Sequence, residues 1–362
     1  MGASCVKQAC CGHPPPATLQ FALEGDAKKL REELEKGESA DATNWRGQTA
    51  LMCAAAKGHT ECLCLLLEKG ANPNALAWWS GDEGRPPLMC AVDGGHSECV
   101  SALLKNGANV NKRDMRGFTA IHVAVFRNNI EMVKLLLEKG ANVLQYSRFF
   151  QLERNRENIP FFAGFDEGQT PIHVAADYGR VECLELLLDA GAKQFPHRRY
   201  RGVFFIETTS FKDLFSKIPS ATPLHFAAFG GHAACISLLL ERDAVNPTQL
   251  LISLDASGFN ATMVAAYMGH AEALECLLSR KTPMYYPNGE VKYVEDLGRN
   301  DVLHVNKQLK NAFQLAKERG NTACMELCAK YQPDHGQMTG QKASLIAQKV
   351  AAKVLKVAAN AV

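Results

Sequence analysis

An all-α solenoid of about eight stacked helix pairs, with long loop insertions on one side, is the fold class this 362-residue sequence predicts. Three observations predict it: one unit recurs along the chain, each unit carries helix-pair signals, and only the intervals between units vary. The unit is clearest in "GQTPIHVAADYGRVECLELLLDAGA", residues 168–192. Its "TPIHVAADYG" aligns with "TALMCAAAKG" at Thr49, "PPLMCAVDGG" at Pro86, "TAIHVAVFRN" at Thr119, "TPLHFAAFGG" at Thr222, "NATMVAAYMG" at Asn260 and "NAFQLAKERG" at Asn311. Upstream, "LQFALEGDAKKLREELEKG" is a degraded copy whose Gly25 stands 33 residues before Gly58. The outer copies depart most, as the caps of an array do.

Each part of the unit has a local reason. Thr170 can satisfy free N–H groups at a helix start, and Pro171 suits a first turn, where no donor is needed. The small pair Ala175-Ala176 lets helices approach closely. Gly179 breaks the first helix, and a second begins near Val181. Leu184, Leu187 and Leu188 give that second helix an apolar stripe at i, i+3, i+4. Gly191 ends it. Helices this short cannot hide their apolar faces as a pair, so successive units must stack.

These units resemble ankyrin repeats, and the resemblance spans roughly residues 18–330. "GQTPIHVAADYGRVECLELLLDAGA" follows that family's pattern almost residue for residue. Met52 and Met89 stand where the pattern has His, and the units at Asn260 and Asn311 lack its Pro. The resemblance implies a curved solenoid with loops projecting from one side. It also implies a protein that holds other proteins. Fold alone does not prove function, so a site has to be found.

The anchors at 49, 86, 119, 170, 222, 260 and 311 are 37, 33, 51, 52, 38 and 51 residues apart. Every excess over 33 falls between one unit's second helix and the next unit, on the side where repeat proteins place their contacts. The insertions differ in chemistry. "LAWWSGDEGR" carries Trp78 and Trp79, adjacent aromatics that cannot share one core. Residues 144–168 bring Phe149, Phe150, Phe161 and Phe162. From Lys193 to Ser220 six Lys/Arg face only Glu207 and Asp213, a net of +4. "PMYYPNGEVKYVEDLG" reads as a hairpin turning at Asn288-Gly289.

Two large insertions flank the unit at 168–192, one on each side. The expectation is a paired clamp over its inner surface, with Asp177 and Tyr178 below. Trp78, Trp79, Phe149, Phe150, Arg198, Arg199, Tyr200, Arg201, Phe204 and Phe205 supply the contacts, since aromatics and Arg dominate interface hot spots. The plainer readings are Phe residues packed on one another and a solvated charge run. The basic insertion favours a partner with an acidic segment. A nucleic-acid reading of "HRRYRGVFF" has no accompanying motif.

Cys62, Cys99, Cys183, Cys235 and Cys324 fall in one repeat column at the start of the second helix, where small buried packing is expected. No pair has the spacing of a structural zinc site, and no metal or cofactor is expected. His122, His173 and His225 occupy the "T-P-L-H" position, while His59, His96, His232 and His270 follow the helix break. By the family resemblance all are struts between units. No nucleophile recurs beside them, and phosphate-loop or hydrolase signatures are absent, so a non-enzyme is expected.

Composition agrees with a soluble binding protein, monomeric by itself. Apolar residues are 47%, charged residues 22%, and the net charge is +2, too small for a general nucleic-acid field. Thirteen cysteines with no signal-peptide core point to a reduced, cytoplasmic chain. Residues 1–17 read as a disordered tail in which Gly2 permits N-myristoylation, against Val6 where Ser or Thr is usual; Cys5, Cys10 and Cys11 are then palmitoylation candidates. Residues 18–330 form the array and 331–340 a linker. Residues 341–362 form a basic helix, with Lys342, Lys349, Lys353 and Lys356 in one stripe. It would lie on an anionic membrane, dock in a partner's groove, or cap the array. Acyl chain and basic helix together would be a two-signal anchor at the cytosolic face of a membrane.

Overall fold

The computed structural model describes residues 15–77, 84–147, 169–192, 221–242, 259–279, 282–285, 291–294, 305–306 and 310–331. Sixteen helices among these residues form eight pairs. The first four pairs are α1 (Ala17–Glu24) with α2 (Ala27–Glu35), α3 (Ala50–Lys57) with α4 (Thr60–Glu68), α5 (Pro87–Gly94) with α6 (Ser97–Lys105), and α7 (Ala120–Phe126) with α8 (Ile130–Glu138). The next are α9 (Pro171–Asp177) with α10 (Val181–Asp189), α11 (Pro223–Gly230) with α12 (Ala233–Arg242), and α13 (Ala261–Met268) with α14 (Ala271–Leu278). The last is α15 (Ala312–Arg319) with α16 (Thr322–Tyr331). The first helices of the pairs form one continuous row, each packed on the next from α1 to α15, with the second helices behind them.

The stacking follows from residue size. One column of the first helices is Ala in seven successive units, Ala54, Ala91, Ala124, Ala175, Ala227, Ala265 and Ala316, all at 0% exposure. A larger side chain there would force neighbouring helices apart. The second helices bury Leu66, Leu103, Leu136, Leu187, Leu239 and Leu277. Full burial of each such side chain contributes about 1.5–3 kcal/mol. The cysteine column packs as expected, with Cys62, Cys99, Cys183, Cys235 and Cys324 fully buried.

Polar groups tie each unit internally and to its neighbour. At the start of α7, α9 and α11 the Thr and the His three residues on cap each other; Thr170 N–H donates to His173 Nδ1 at 3.3 Å. In His122 and His225 the opposite ring nitrogen reaches the next unit, 3.4 Å from Gln169 O and 3.1 Å from Phe259 O respectively. These histidines therefore close their own helix as well as bracing the stack. The second histidine set braces it outright: His59 Nε2 meets Leu23 O at 3.2 Å, His232 meets Asp177 O at 2.9 Å and His270 meets Phe229 O at 2.9 Å. In the last unit Asn321 takes that place, donating to Ala266 O and Tyr267 O at 2.9 Å each. Gly179 leaves α9 with φ +65°, and a Cβ on it would sit 2.5 Å from His232 Nδ1, so the strut needs glycine twice over.

The insertion before α15 contains the expected hairpin. Strand β1 (Thr282–Tyr285) pairs antiparallel with β2 (Val291–Val294), Thr282 opposite Val294 and Tyr285 opposite Val291. The turn residues Asn288 and Gly289 lie outside the described residues. At the N-terminal end α1 opens at Ala17 after Pro16, one residue inside the segment expected to be tail.

Candidate functional site

Of the side chains expected to form the site, the structure describes Asp177 and Tyr178. Trp78, Trp79, Phe149, Phe150, Arg198, Arg199, Tyr200, Arg201, Phe204 and Phe205 lie outside the described residues, as do Gly2, Cys5, Cys10, Cys11, Lys342, Lys349, Lys353 and Lys356. The clamp is therefore neither assembled nor dismantled by the described residues.

Asp177 and Tyr178 end α9, and the neighbouring first helices end in rings. Phe126 on α7, Phe229 on α11 and Tyr267 on α13 hold the same repeat position as Asp177. All are half-buried. The Phe126 and Tyr178 rings meet edge to face, centroids 5.0 Å apart. Arg319 stacks over Tyr267 at 4.7 Å. Four consecutive units thus carry a row of partly exposed aromatics, interrupted by one carboxylate.

The electrostatics of that carboxylate stand out against its own repeat equivalent. Asp93 ends α5 in the same position, and two guanidiniums hold it. Arg127 Nε and a terminal nitrogen reach its two oxygens at 2.8 and 3.1 Å, and Arg85 approaches at 3.3 Å. The Asp93 hydrogen bond in turn raises Arg127 above its usual range. Asp177 has no hydrogen-bond or ionic partner for its carboxylate among the described residues. Burial pushes its carboxyl up to about 7, and Tyr178 beside it is pushed up to about 12 by burial and then by the Asp177 charge. The sequence explains the contrast. The position of Arg85 is Gln169 in this unit, and the position of Arg127 is Gly230 in the next.

Neither deviation is idle in the structure. Gln169 is fully buried, and both polar atoms of its amide lack a partner. A Cβ on Gly230 would sit 2.4 Å from His232 Nε2 and 2.9 Å from Asp177 O, so the strut excludes a side chain where Arg127 stands two units back. Reading the repeat by columns would have exposed the Phe126–Phe229–Tyr267 row.

Among the described residues no cluster of His, Cys, Asp or Glu has the arrangement of a metal site, and no helix is long and apolar enough to cross a membrane.

Stacked helix pairs with capping histidines, glycine breaks and inter-unit struts define a repeat-built binding module. Family comparison agrees: ankyrin repeats in three-copy sets match residues 77–147 and 207–288, and single ankyrin repeats match 46–78 and 167–197. The chain belongs to the ankyrin-repeat family, whose repeats mediate protein–protein interaction. It is similar to human "Transient receptor potential cation channel subfamily A member 1", 27% identical over 235 residues, covering 64% of this chain and 18% of that protein. It is also similar to human "Ankyrin repeat and SOCS box protein 3", 37% identical over 197 residues, covering 44% of this chain and 34% of the relative. "Ankyrin repeat protein nuc-2" of Neurospora crassa is 27% identical over 277 residues, covering 72% of this chain and 20% of that protein. The chain thus spans 18–34% of these relatives' lengths.

Proposed function

We propose that this chain is a non-enzymatic adaptor or scaffold that holds a partner protein along the exposed ends of its first helices. The observation that carries the reading is the aromatic row Phe126, Tyr178, Phe229 and Tyr267, half-buried on four consecutive units. Rings of this kind offer large contact area with few torsions to freeze, and a braced stack loses little entropy on binding. The insertion at 193–220 carries a net charge of +4, which suits an acidic segment of the partner. Ten free cysteines among the described residues support a reducing, cytoplasmic setting.

The test compares partner capture by wild type and by a Phe126→Ser, Tyr178→Ser, Phe229→Ser, Tyr267→Ser protein of unchanged circular dichroism. A parallel variant changes Arg198, Arg199, Arg201, Phe204 and Phe205 to Ser. Loss of the same partner from either variant supports the reading. An identical partner list in both sinks it and moves recognition to the second helices or the chain ends.

A further inference from the structure

The protein contains its own template for what belongs at Asp177. In the unit at residues 86–105, a carboxylate at the end of the first helix is neutralised by two arginines: Arg85 from its own unit and Arg127 from the next. The Arg127 contact is two-pronged, the geometry that suits a guanidinium to a carboxylate and that an ammonium cannot copy. In the unit at residues 170–192 the carboxylate is kept and both arginines are replaced, one by Gln169 and one by Gly230. A Gln side chain is two bonds shorter than Arg and carries no charge.

We infer that Asp177 is the anchor of an arginine-binding subsite, and that a partner's arginine supplies in trans the guanidinium that Arg127 supplies to Asp93 in cis. This rests on the adaptor reading and names the chemistry of the segment that sits on the aromatic row. Three features support it. The Asp177 carboxylate has no hydrogen-bond or ionic partner among the described residues, although the residue is half-buried. The Gln169 amide, at the repeat position from which Arg85 reaches Asp93, is fully buried with both polar atoms unpartnered, so the unit's own chain supplies no cation there. Tyr178 stands next to Asp177, the neighbouring first helices carry Phe126 and Phe229 at its repeat position, and Arg127 already lies over the Phe126 ring at 5.7 Å, the kind of contact a planar cation makes. The sign is opposite to that favoured by the basic insertion at 193–220, so the two surfaces read different parts of the partner.

The test uses a defined probe, a Gly/Ser-based decapeptide library with one fixed Arg and randomised flanks, and a matched library with Lys instead. Selected peptides are measured by titration against the full-length chain. Arg peptides should be selected, and Lys in place of Arg should weaken them about tenfold, because the two-pronged contact is lost. Asp177→Asn should weaken them roughly 100-fold, the usual scale for removing one member of a desolvated pair. Gln169→Arg should do the same by filling the subsite from within, as Arg85 does for Asp93; if this variant does not fold, Asp177→Asn alone decides. Selected peptides whose affinity is unchanged by Asp177→Asn would overturn the inference. If those peptides still depend on the four aromatic residues, the adaptor surface survives and only the arginine assignment falls. If they depend on neither, both fall. Binding that emerges only after Arg198, Arg199 and Arg201 are changed to Ser would show that the chain's own insertion occupies Asp177, and would overturn recognition in trans.

Discussion

Asp177 makes a prediction that needs no partner. Its carboxyl titrates at about 7 in the folded chain because burial disfavours the charged form, against an ordinary value of 3.8. The folded state therefore holds its proton more tightly than the unfolded state does. Stability from this group is fully present below about pH 4 and is lost as pH rises towards 7, after which the loss is constant. At 1.36 kcal/mol per pH unit between the two values the ceiling is about 4 kcal/mol, and because Asp177 keeps some contact with water we expect about 1–2 kcal/mol. Asp177→Asn cannot ionise and escapes the loss. Urea unfolding followed by circular dichroism at pH 5 and pH 8 measures it: the variant should gain on wild type by about 1–2 kcal/mol between the two. The neighbours Tyr178, Arg180, His173, Arg127 and His232 are common to both proteins, so their titrations cancel. Curves for the two proteins that stay parallel from pH 4.5 to 8 would refute an uncompensated carboxylate at this position.

Two further outcomes follow from buried groups. Burial lowers His122 to about 4, so the folded chain excludes its proton; stability from it is present above pH 6.5 and lost as pH falls towards 4, up to about 3 kcal/mol. His122→Gln should abolish that acid slope while keeping the helix cap, because Gln314 already caps with Asn311 in the same geometry, and an unchanged slope in acid melts would count against the assignment. Burial also raises Cys183 and Cys235 to about 11 and Cys328 to about 12, leaving almost no thiolate at pH 8. Mass mapping after brief iodoacetamide treatment of the native protein should find these three unmodified, and early labelling at any of them would contradict the packing of the second helices.

The stack was legible because its information is local and repeated. Thr170, Pro171, the Ala pair, Gly179 and the leucine stripe each act within a few residues, and the alignment of seven copies exposes them. The hairpin at 282–294 was legible for the same reason. The site was only half legible. Asp177 and Tyr178 were found through the insertions beside them, but the rings that face them sit on helices about 50 residues away in sequence. What makes Asp177 unlike Asp93 is the loss of Arg at two other positions, and no local pattern around Asp177 reports that. The residues of the insertions themselves, Trp78 to Phe205, have chemistry that can be read and a placement that repeat rules do not supply.

The struts also bear on how this chain tolerates change. His232 joins Asp177 across 55 residues of sequence, and it makes the same contact that His270 makes across 41. Closing a loop costs free energy only as the logarithm of its length, so the extra residues of the longest intervals cost about 0.4 kcal/mol each time. Mutation can therefore lengthen, shorten or exchange those segments while the scaffold beneath keeps its spacing. Recognition in such a molecule can be rewritten one insertion at a time, without renegotiating the fold.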